Sequence, residues 1–509
     1  MCCNSWNSAR IATELTAPPR QTKPAATTPV RTAADPTALP TPPGPRSPAL
    51  WQTQRFIRDP LRFLDDCSAR YGGCVQIHLL GFGPTFWVTN PAAIHAVYAS
   101  DDLLPMREAA NLVVPIFGSR SITSLDGPAH LHRRRQFLPS FSGSVLEDYA
   151  VLTRRSTREE IAEWREGAVV GLHDALYRIT LDVVIRLLLG AELERERRRR
   201  VADLTLAMMS RLGLLALGER VRRDLGPVSP WGRFVRIRQQ LDTILYEEIA
   251  KRRAAPGDDL LSRLIEFDDE NGDRLDDTAI RDEMMTILGA GSETTATAVA
   301  WTIDFLLRDP QLNEAVLSEA RAGRSKLADT VVKEAMRLRS PVISSGRVAA
   351  RDLEISGYSV PRGTRVWVPI NVIHRDPAVH RDPERFDPSR YDDPNLTAYS
   401  WLSFGGGVRR CAGAGFAIRS TRELLQELLL SCELTLVRAR PERPRARGAI
   451  VIPGAGVPVR WTPRSDQAAA NGAPNDATGR FRAAGEGAGS PDAVRSITRT
   501  NASTTSGSN

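Results

Sequence analysis

From Asp276 to Arg308 the chain contains no proline and reads as one continuous helix, until Asp309-Pro310 interrupts it. Asp276 or Asp277 can cap its start, because an aspartate oxygen accepts from the N–H groups that have no partner in a first helical turn. About 30 residues is far beyond the usual three turns, so such a helix must cross the whole body of its fold. Everything else has to be arranged around that rod.

Its surroundings are mostly helical. Periodic apolar spacing dominates from about 145 to 340, including "ALYRITLDVVIRLLLG" at 175–190, where the glycine is placed to end a helix. Strand-like runs are short and lie outside that region: "CVQIHLL" at 74–80 and "TFWVTN" at 85–90 around a Gly-Pro turn, and further strands at 353–370 around Pro361-Arg362-Gly363. The expected class is mainly α with small β-sheets, an α+β arrangement. Residues 1–48 are rich in Pro, Thr and Ala and residues 463–509 in Ala, Gly, Ser, Thr and Asn, compositions that bury too little surface to offset ordering. Both are expected to be disordered, with 49–462 as one unit.

With 42% apolar and 25% charged side chains in 509 residues, there is ample material for a large core. The formal charge of +8 raises the question of a polyanion partner, but residues 1–48 account for +3 and 463–509 for +1, leaving +4 on the body. The run Arg197–Arg200 follows Glu192, Glu194 and Glu196 and reads as a solvated helix face. No nucleic acid is expected. Six scattered cysteines without a CxxC pair indicate neither a disulfide framework nor zinc and suit a reducing, cytoplasmic setting. No run of about 18 apolar residues marks a membrane span or a signal core. A monomer is expected, and Cys2-Cys3 acylation has no membrane-directing context to support it.

The chemistry is concentrated in "FGGGVRRCAGAGFAIRSTRELLQELLL" at 404–430, a glycine-rich loop, a cysteine, then an amphipathic helix. Cys411 stands at a helix entrance, where backbone amides and the positive dipole end favour a thiolate, a soft metal ligand. Gly405, Gly406, Gly407 and Gly413 would let the backbone pass close to a flat ligand, and Phe404 could shield the sulfur. A buried inert cysteine or a phosphate loop are the plainer alternatives. Against the second, "GAGSET" at 289–294 and "GAGFAI" at 413–418 each lack the third glycine of a dinucleotide fingerprint.

Phe404, Gly407, Arg409, Cys411 and Gly413 stand in the spacing Phe-x-x-Gly-x-Arg/His-x-Cys-x-Gly, and in this the chain resembles the cytochrome P450 family. Three further elements follow the family's order across 49–462. "AGSETT" at 290–295, in the middle of the long helix, resembles its oxygen-activation segment: Ala290 and Thr294 share a face, and Glu293 is turned about 100° away. "EAMR" at 334–337 matches its Glu-x-x-Arg, which implies a structural triad of Glu334, Arg337 and Arg385 supporting the cysteine loop. "DGPAHLHRRRQFLPSF" at 126–141 resembles the helix that meets the haem propionates, with His130 and Arg134 in the family's spacing; Arg347 and Arg409 would join them.

The resemblance implies haem b held through Cys411, the long helix crossing the haem, and a monooxygenase that uses O2 on a lipophilic small molecule. Thr294 would hydrogen-bond to oxygen and Glu293 would relay protons through water, while thiolate donation favours O–O cleavage. No reductase-like sequence follows 462, so electrons are expected from a separate ferredoxin-type or flavoprotein donor, docking near Arg133, Arg135 and Arg410. Pocket walls are expected near 100–118, around 203–235, and at Val342 and Ile343. A peroxide-driven haem-thiolate enzyme or isomerase is the rival enzyme class, disfavoured by the intact Glu293-Thr294 pair, and a haem sensor is the non-enzymatic rival.

Overall fold

The computed structural model describes residues 30–32, 39–104, 114–211, 223–394, 396, 398–448 and 450–464. The long helix forms as one piece, Asp277–Leu306. Its cap is Asp276, whose side chain accepts from Ala279 N at 2.8 Å. At 1.5 Å per residue it is about 45 Å long. Nearly every side chain from Ala279 to Ile303 is buried, the mark of a helix enclosed on all sides rather than one laid on a surface.

Leu172–Leu189, itself buried almost all round, packs directly against this central helix, and Lys326–Leu338 and Ala414–Ser431 close on it from other sides. One apolar cluster runs through all of them, joining Leu176, Val184, Leu288, Val299, Val332 and Leu425. The helix at 172–189 ends where its glycine was placed to end it, with Gly190 in the left-handed region at φ 95°.

The sheets are small and separate, as the class requires. Cys74–Leu79 and Gly83–Val88 form the expected hairpin, in register from Cys74 opposite Val88 to Leu79 opposite Gly83. Arg365–Pro369 adds to it in parallel, and Ser344–Ala349 and Leu103–Leu104 extend it to five strands. A second sheet joins Val169–Gly171, Pro458–Pro463 and Cys432–Leu436, and Pro444–Arg447 pairs with Ile450–Pro453.

Part of the lead expected to be disordered is strapped to the body. Val30–Thr32 pairs with Leu353–Ile355, which in turn pairs with Tyr358–Val360. Further along, Gln76 N donates to Pro43 O at 2.8 Å and Ser359 N to Pro40 O at 3.0 Å. Gln52 reaches back to Pro45 O and Ser47 O. A proline-rich chain is already extended and, though poor in donors, offers a full set of carbonyl acceptors to neighbouring strands. Residues 1–29 with Cys2 and Cys3, 465–509, and the stretches 105–113 and 212–222, which hold much of the expected pocket wall, lie outside the described residues. The Arg197–Arg200 run sits on the helix Arg195–Met209, where Arg197 pairs with Glu247 and Glu248 and Arg198 with Asp182, while Arg199 and Arg200 are exposed.

Candidate active site

The cysteine loop is a tight backbone structure before it is anything else. Gly405 N donates to Leu402 O at 2.7 Å, Arg410 N to Gly407 O at 3.1 Å, and Cys411 N to Phe404 O at 3.0 Å. The turns between these bonds need left-handed residues, supplied by Gly405 at φ 71° and Gly407 at φ 65°. Gly407 also lies so close to the chain that a Cβ would stand 2.4 Å from Tyr98 O, and at Gly406 it would meet the Tyr98 ring at 2.7 Å. These glycines therefore serve a turn and a close approach to the helix Pro91–Ala99, while a Cβ at Gly413 would meet nothing within 4 Å. Phe404 packs edge-on to Trp401, centroids 5.5 Å apart.

Cys411 comes three residues before the helix Ala414–Ser431. It lies deep in the body, yet its side chain is accessible, so it borders an internal opening. Burial pushes its thiol above the ordinary range, while the Gly413 N–H and the guanidinium groups of Arg134 and Arg410 pull it down. A bound metal would favour the thiolate further, since a thiol gives up its proton on becoming a ligand.

The loop is held from behind by Lys326–Leu338. Glu334 and Arg337, both fully buried, pair through Arg337 Nε to Glu334 Oε2 at 2.8 Å and Nη2 to Oε1 at 2.9 Å. Arg337 also donates to the carbonyls of His374, Pro383 and Arg385. His374, kept neutral because burial lowers its pKa to about 3, accepts from Leu402 N at 2.7 Å and so ties the network to the cysteine loop. The third member of the triad is not Arg385. That residue contributes only its carbonyl, whereas Arg390 brings Nε to 3.4 Å from Glu334 Oε1. The short turn Pro388–Asp392, capped by Asp387, swings position 390 inward.

On the central helix, Ala290 is open, and Gly291 and Thr294 are half-buried, in a stretch otherwise closed. One turn thus borders an opening on the face that Ala290 and Thr294 share. Thr294 Oγ1 donates to Ala290 O at 2.9 Å. Glu293 points the other way into the protein and pairs with Arg447 from the strand Pro444–Arg447. Burial raises its pKa; Arg447 and His173 oppose the shift. Beside this turn, a Cβ on Gly289 would meet Phe117 at 2.6 Å and Met209 Sδ at 3.3 Å, so an apolar shoulder flanks the open face.

The four expected cofactor cations converge. His130 is buried on the helix Gly127–Phe137 and held neutral, its pKa lowered to about 3 by burial and by Arg409, Arg134 and Arg347. His132 faces elsewhere, 2.7 Å from Asp268. Arg134 donates to Arg410 O at 2.5 Å, and Arg347 to Ser345 Oγ and Gly346 O, with its guanidinium 5.3 Å from the Tyr98 ring centre. Arg409 donates to the carbonyls of Ile122 and Leu125 and to Asp126 Oδ1, and burial lowers its pKa to about 10. Three arginines lowered chiefly by burial, gathered with His130 near one thiol, fit a flat group carrying two carboxylates and a soft metal, as haem does.

Arg133 does not belong with the docking arginines. It turns inward and pairs with Glu283 of the central helix, whose pKa burial pushes up to about 7 despite Arg133. Arg135 is exposed, whereas Arg410 is half-buried. Sequence reasoning also missed Arg447 as the partner of Glu293; it lies 154 positions downstream with no motif around it.

Comparison with known proteins bears on the family and the fold. The family model described as Cytochrome P450 matches residues 41–457. A Mycobacterium tuberculosis protein bearing the name cytochrome P450 135B1 is 33% identical over 471 residues, covering 89% of this chain and 96% of its own. Another from the same organism, named cytochrome P450 137, is 34% identical over 404 residues, covering 77% and 84%. Among solved structures, retinoic acid bound cyanobacterial CYP120A1 superposes with a TM-score of 0.73 at 23% identity, covering 84% of this chain and all of that one. The haem domain of cytochrome P450DA gives 0.74 at 20% identity, covering 84% and 98%.

Proposed function

Since the chain belongs to the cytochrome P450 family, haem monooxygenases that use O2 and a redox partner, we propose that it inserts one oxygen atom into a lipophilic small molecule, with electrons from a separate ferredoxin-type or flavoprotein donor. The observation that carries this reading is the single open turn of an otherwise enclosed helix, Ala290 to Thr294, with the accessible Cys411 as the metal ligand.

Haem, when bound, supplies reductive activation of dioxygen and transfer of one oxygen atom. Cys411 Sγ would be its ligand from the protein, and the Gly413 N–H would steady the sulfur's charge. Arg134, Arg347 and Arg409 would meet its carboxylates as cations, with His130 beside them as a further hydrogen-bond donor. With its hydrogen directed at Ala290 O, Thr294 Oγ1 would present a lone pair at the open face, as the acceptor that orders a protonated group or water there. Glu293 stands one residue before it, away from the opening, as the carboxylate that supplies the proton. Phe117 and Met209, seated on Gly289, favour an apolar substrate over a charged one. The intact Glu293-Thr294 pair favours oxygen over peroxide as the oxidant.

Thr294→Ala tests the assignment. The variant should retain haem and divert several-fold more oxygen to peroxide, well inside the roughly 10²–10⁴-fold that a placed proton-transfer group can contribute. Oxygen consumption coupled to product as tightly as in the wild type would remove Thr294 from its role.

The electron donor is placed on the cysteine side. Leu131, Arg135 and Leu138 follow helical spacing along an exposed stripe, with Leu131 39% and Leu138 36% exposed, and Val408 of the cysteine loop is 61% exposed. Arg134 ties that helix to the loop through Arg410 O. An apolar patch with a basic edge suits an acidic donor. Arg135→Glu should slow reduction by a [2Fe–2S] ferredoxin about tenfold at low salt, through lost steering. A rate and salt dependence equal to wild type would place the dock elsewhere. Among the described residues no helix is long and apolar enough to cross a membrane. We propose a cytoplasmic monomer with one catalytic unit that takes in, besides 49–462, the bonded lead at 30–32 and 40–48.

A further inference from the structure

Between the short helix Val114–Phe117 and the helix Gly127–Phe137 the chain runs as an irregular segment, 118–126. Two carboxylates of the central helix hold it. Asp282 Oδ2 accepts from Arg120 N at 2.9 Å, and Gly118, in the left-handed region at φ 85°, lies so close to the Asp282 carboxylate that a Cβ would have no room. Glu283 Oε1 accepts from Ile122 N at 2.9 Å and from Arg133 of the helix that follows. Glu283 is fully buried, and among the described residues its second oxygen, Oε2, has no hydrogen-bond partner.

The cysteine loop grips the same segment from its own side. Arg409 donates from Nη1 to Ile122 O at 3.2 Å, and from Nη2 to Leu125 O and, at 2.7 Å, to Asp126 Oδ1. Ile122 is thus shared: its N–H goes to a carboxylate of the central helix and its C=O to an arginine two residues before Cys411. Arg134, next to Arg133 on its helix, reaches the loop at Arg410 O. A buried ion pair is a weak source of stability compared with an apolar pair of the same shape, so stability alone does not account for a carboxylate at 283. Holding a backbone N–H at a fixed place does.

We infer that Glu283 is a positioning residue for the haem site: through Ile122 it sets where Arg409 stands, and through Arg133 it sets the helix that carries His130 and Arg134. Seven residues, about two helical turns, separate it from Ala290 on the same helix. The open turn and the cations of the cysteine side are thereby referred to a single rigid element. The inference rests on the reading of Arg409, Arg134 and His130 as the groups that hold the haem carboxylates.

The test compares two haem-loaded double variants. In both, Arg133→Met removes the buried charge that would otherwise lose its partner, so neither contains the ion pair. Glu283→Gln with Arg133→Met keeps an acceptor oxygen for Ile122 N, and Glu283→Leu with Arg133→Met does not. Transfer of haem to excess apomyoglobin should run about tenfold faster from the leucine variant than from the glutamine variant, the effect of leaving a buried N–H without an acceptor. The ferric–ferrous equilibrium of the leucine variant should lie about threefold further to the ferric side, about 30 mV, because a displaced Arg409 offers less positive charge to the incoming electron. Both variants carry the same net charge, so the charge of residue 283 does not enter that difference.

Equal haem transfer and equal potential in the two double variants overturn the inference. Ile249→Ala, which opens a cavity in the core away from this segment, is the control for general loosening; haem transfer from it as fast as from the leucine variant overturns the inference as well. Should the leucine variant fail to take up haem, Glu283→Asp, which keeps the charge but withdraws it from Ile122 N by one methylene, is compared with the wild type in its place. Arg409→Met runs alongside. If it speeds haem transfer while the two double variants agree, Glu283 loses its role and the reading of the haem-holding cations stands. If it transfers haem at the wild-type rate, that reading falls and the inference with it.

Discussion

Arg337→Ala should destabilise the protein by about 3–5 kcal/mol, the range for removing one member of a buried ion pair. Glu334 and Arg337 are both inaccessible to solvent, so the loss strands a carboxylate with only the 3.4 Å contact to Arg390 and the Asp387 N–H at 3.0 Å. The carbonyls of His374 and Pro383 lose the Arg337 donor at the same time, and that of Arg385 keeps only Arg390 Nη2 at 3.4 Å. The damage should be felt at the cysteine loop, because His374 receives the Leu402 N–H and Trp401 is bonded to Lys333 O of the same helix. Denaturant unfolding should show the full shift, and haem content after purification should fall with it. Glu334→Gln, which keeps acceptor oxygen for Arg337, should cost less. An Arg337→Ala protein with an unmoved midpoint and full haem would mean the loop is held by its own turns.

Cys411→Ser should abolish the thiolate signature of the ferrous CO complex and reduce turnover by at least about 10³-fold, since electron donation from sulfur is what drives O–O cleavage. The scaffold should survive. Serine is smaller than cysteine by little, and the backbone bond from residue 411 to Phe404 O does not depend on the side chain. Haem should still be retained in part through Arg134, Arg347 and Arg409. If the thiolate spectrum persists in the variant, another sulfur is the ligand. Among the described residues the alternatives are Cys67, Cys74 and Cys432, all buried, with Cys67 pushed up to about 11 and Cys432 to about 12 by burial.

What could be read directly from sequence were features written in consecutive residues. The helix Asp277–Leu306 announces itself by a cap, an uninterrupted run and a proline stop, and all three are local signals. The spacing from Phe404 to Cys411 is likewise local, because it encodes a turn whose bonds close within the loop itself. Failure came where a partner is chosen by the tertiary fold. Arg385 and Arg390 both stand near the Pro383 turn, and only the path of the chain decides which guanidinium reaches Glu334. Arg133 and Arg135 look alike in sequence, but 200° of helix rotation sends one into the core against Glu283 and leaves the other outside. The Pro-rich lead misled for a different reason. Composition reports whether a segment can build a core, not whether its carbonyls can be borrowed by one, as Pro40 and Pro43 are.

Several of the side chains that assemble the site fasten themselves to main-chain oxygen. Arg337 grips the carbonyls of 374, 383 and 385; Arg409 those of 122 and 125; Arg134 that of 410; Trp301 that of 451. Every amino acid brings the same carbonyl, so the gripped positions are free to change identity without loosening the grip. The cost of substitution is concentrated in a few arginines and the glycines that shape the loop. A frame built this way can drift through most of its sequence, and re-line its pocket for new substrates, while the cofactor's surroundings stay in place.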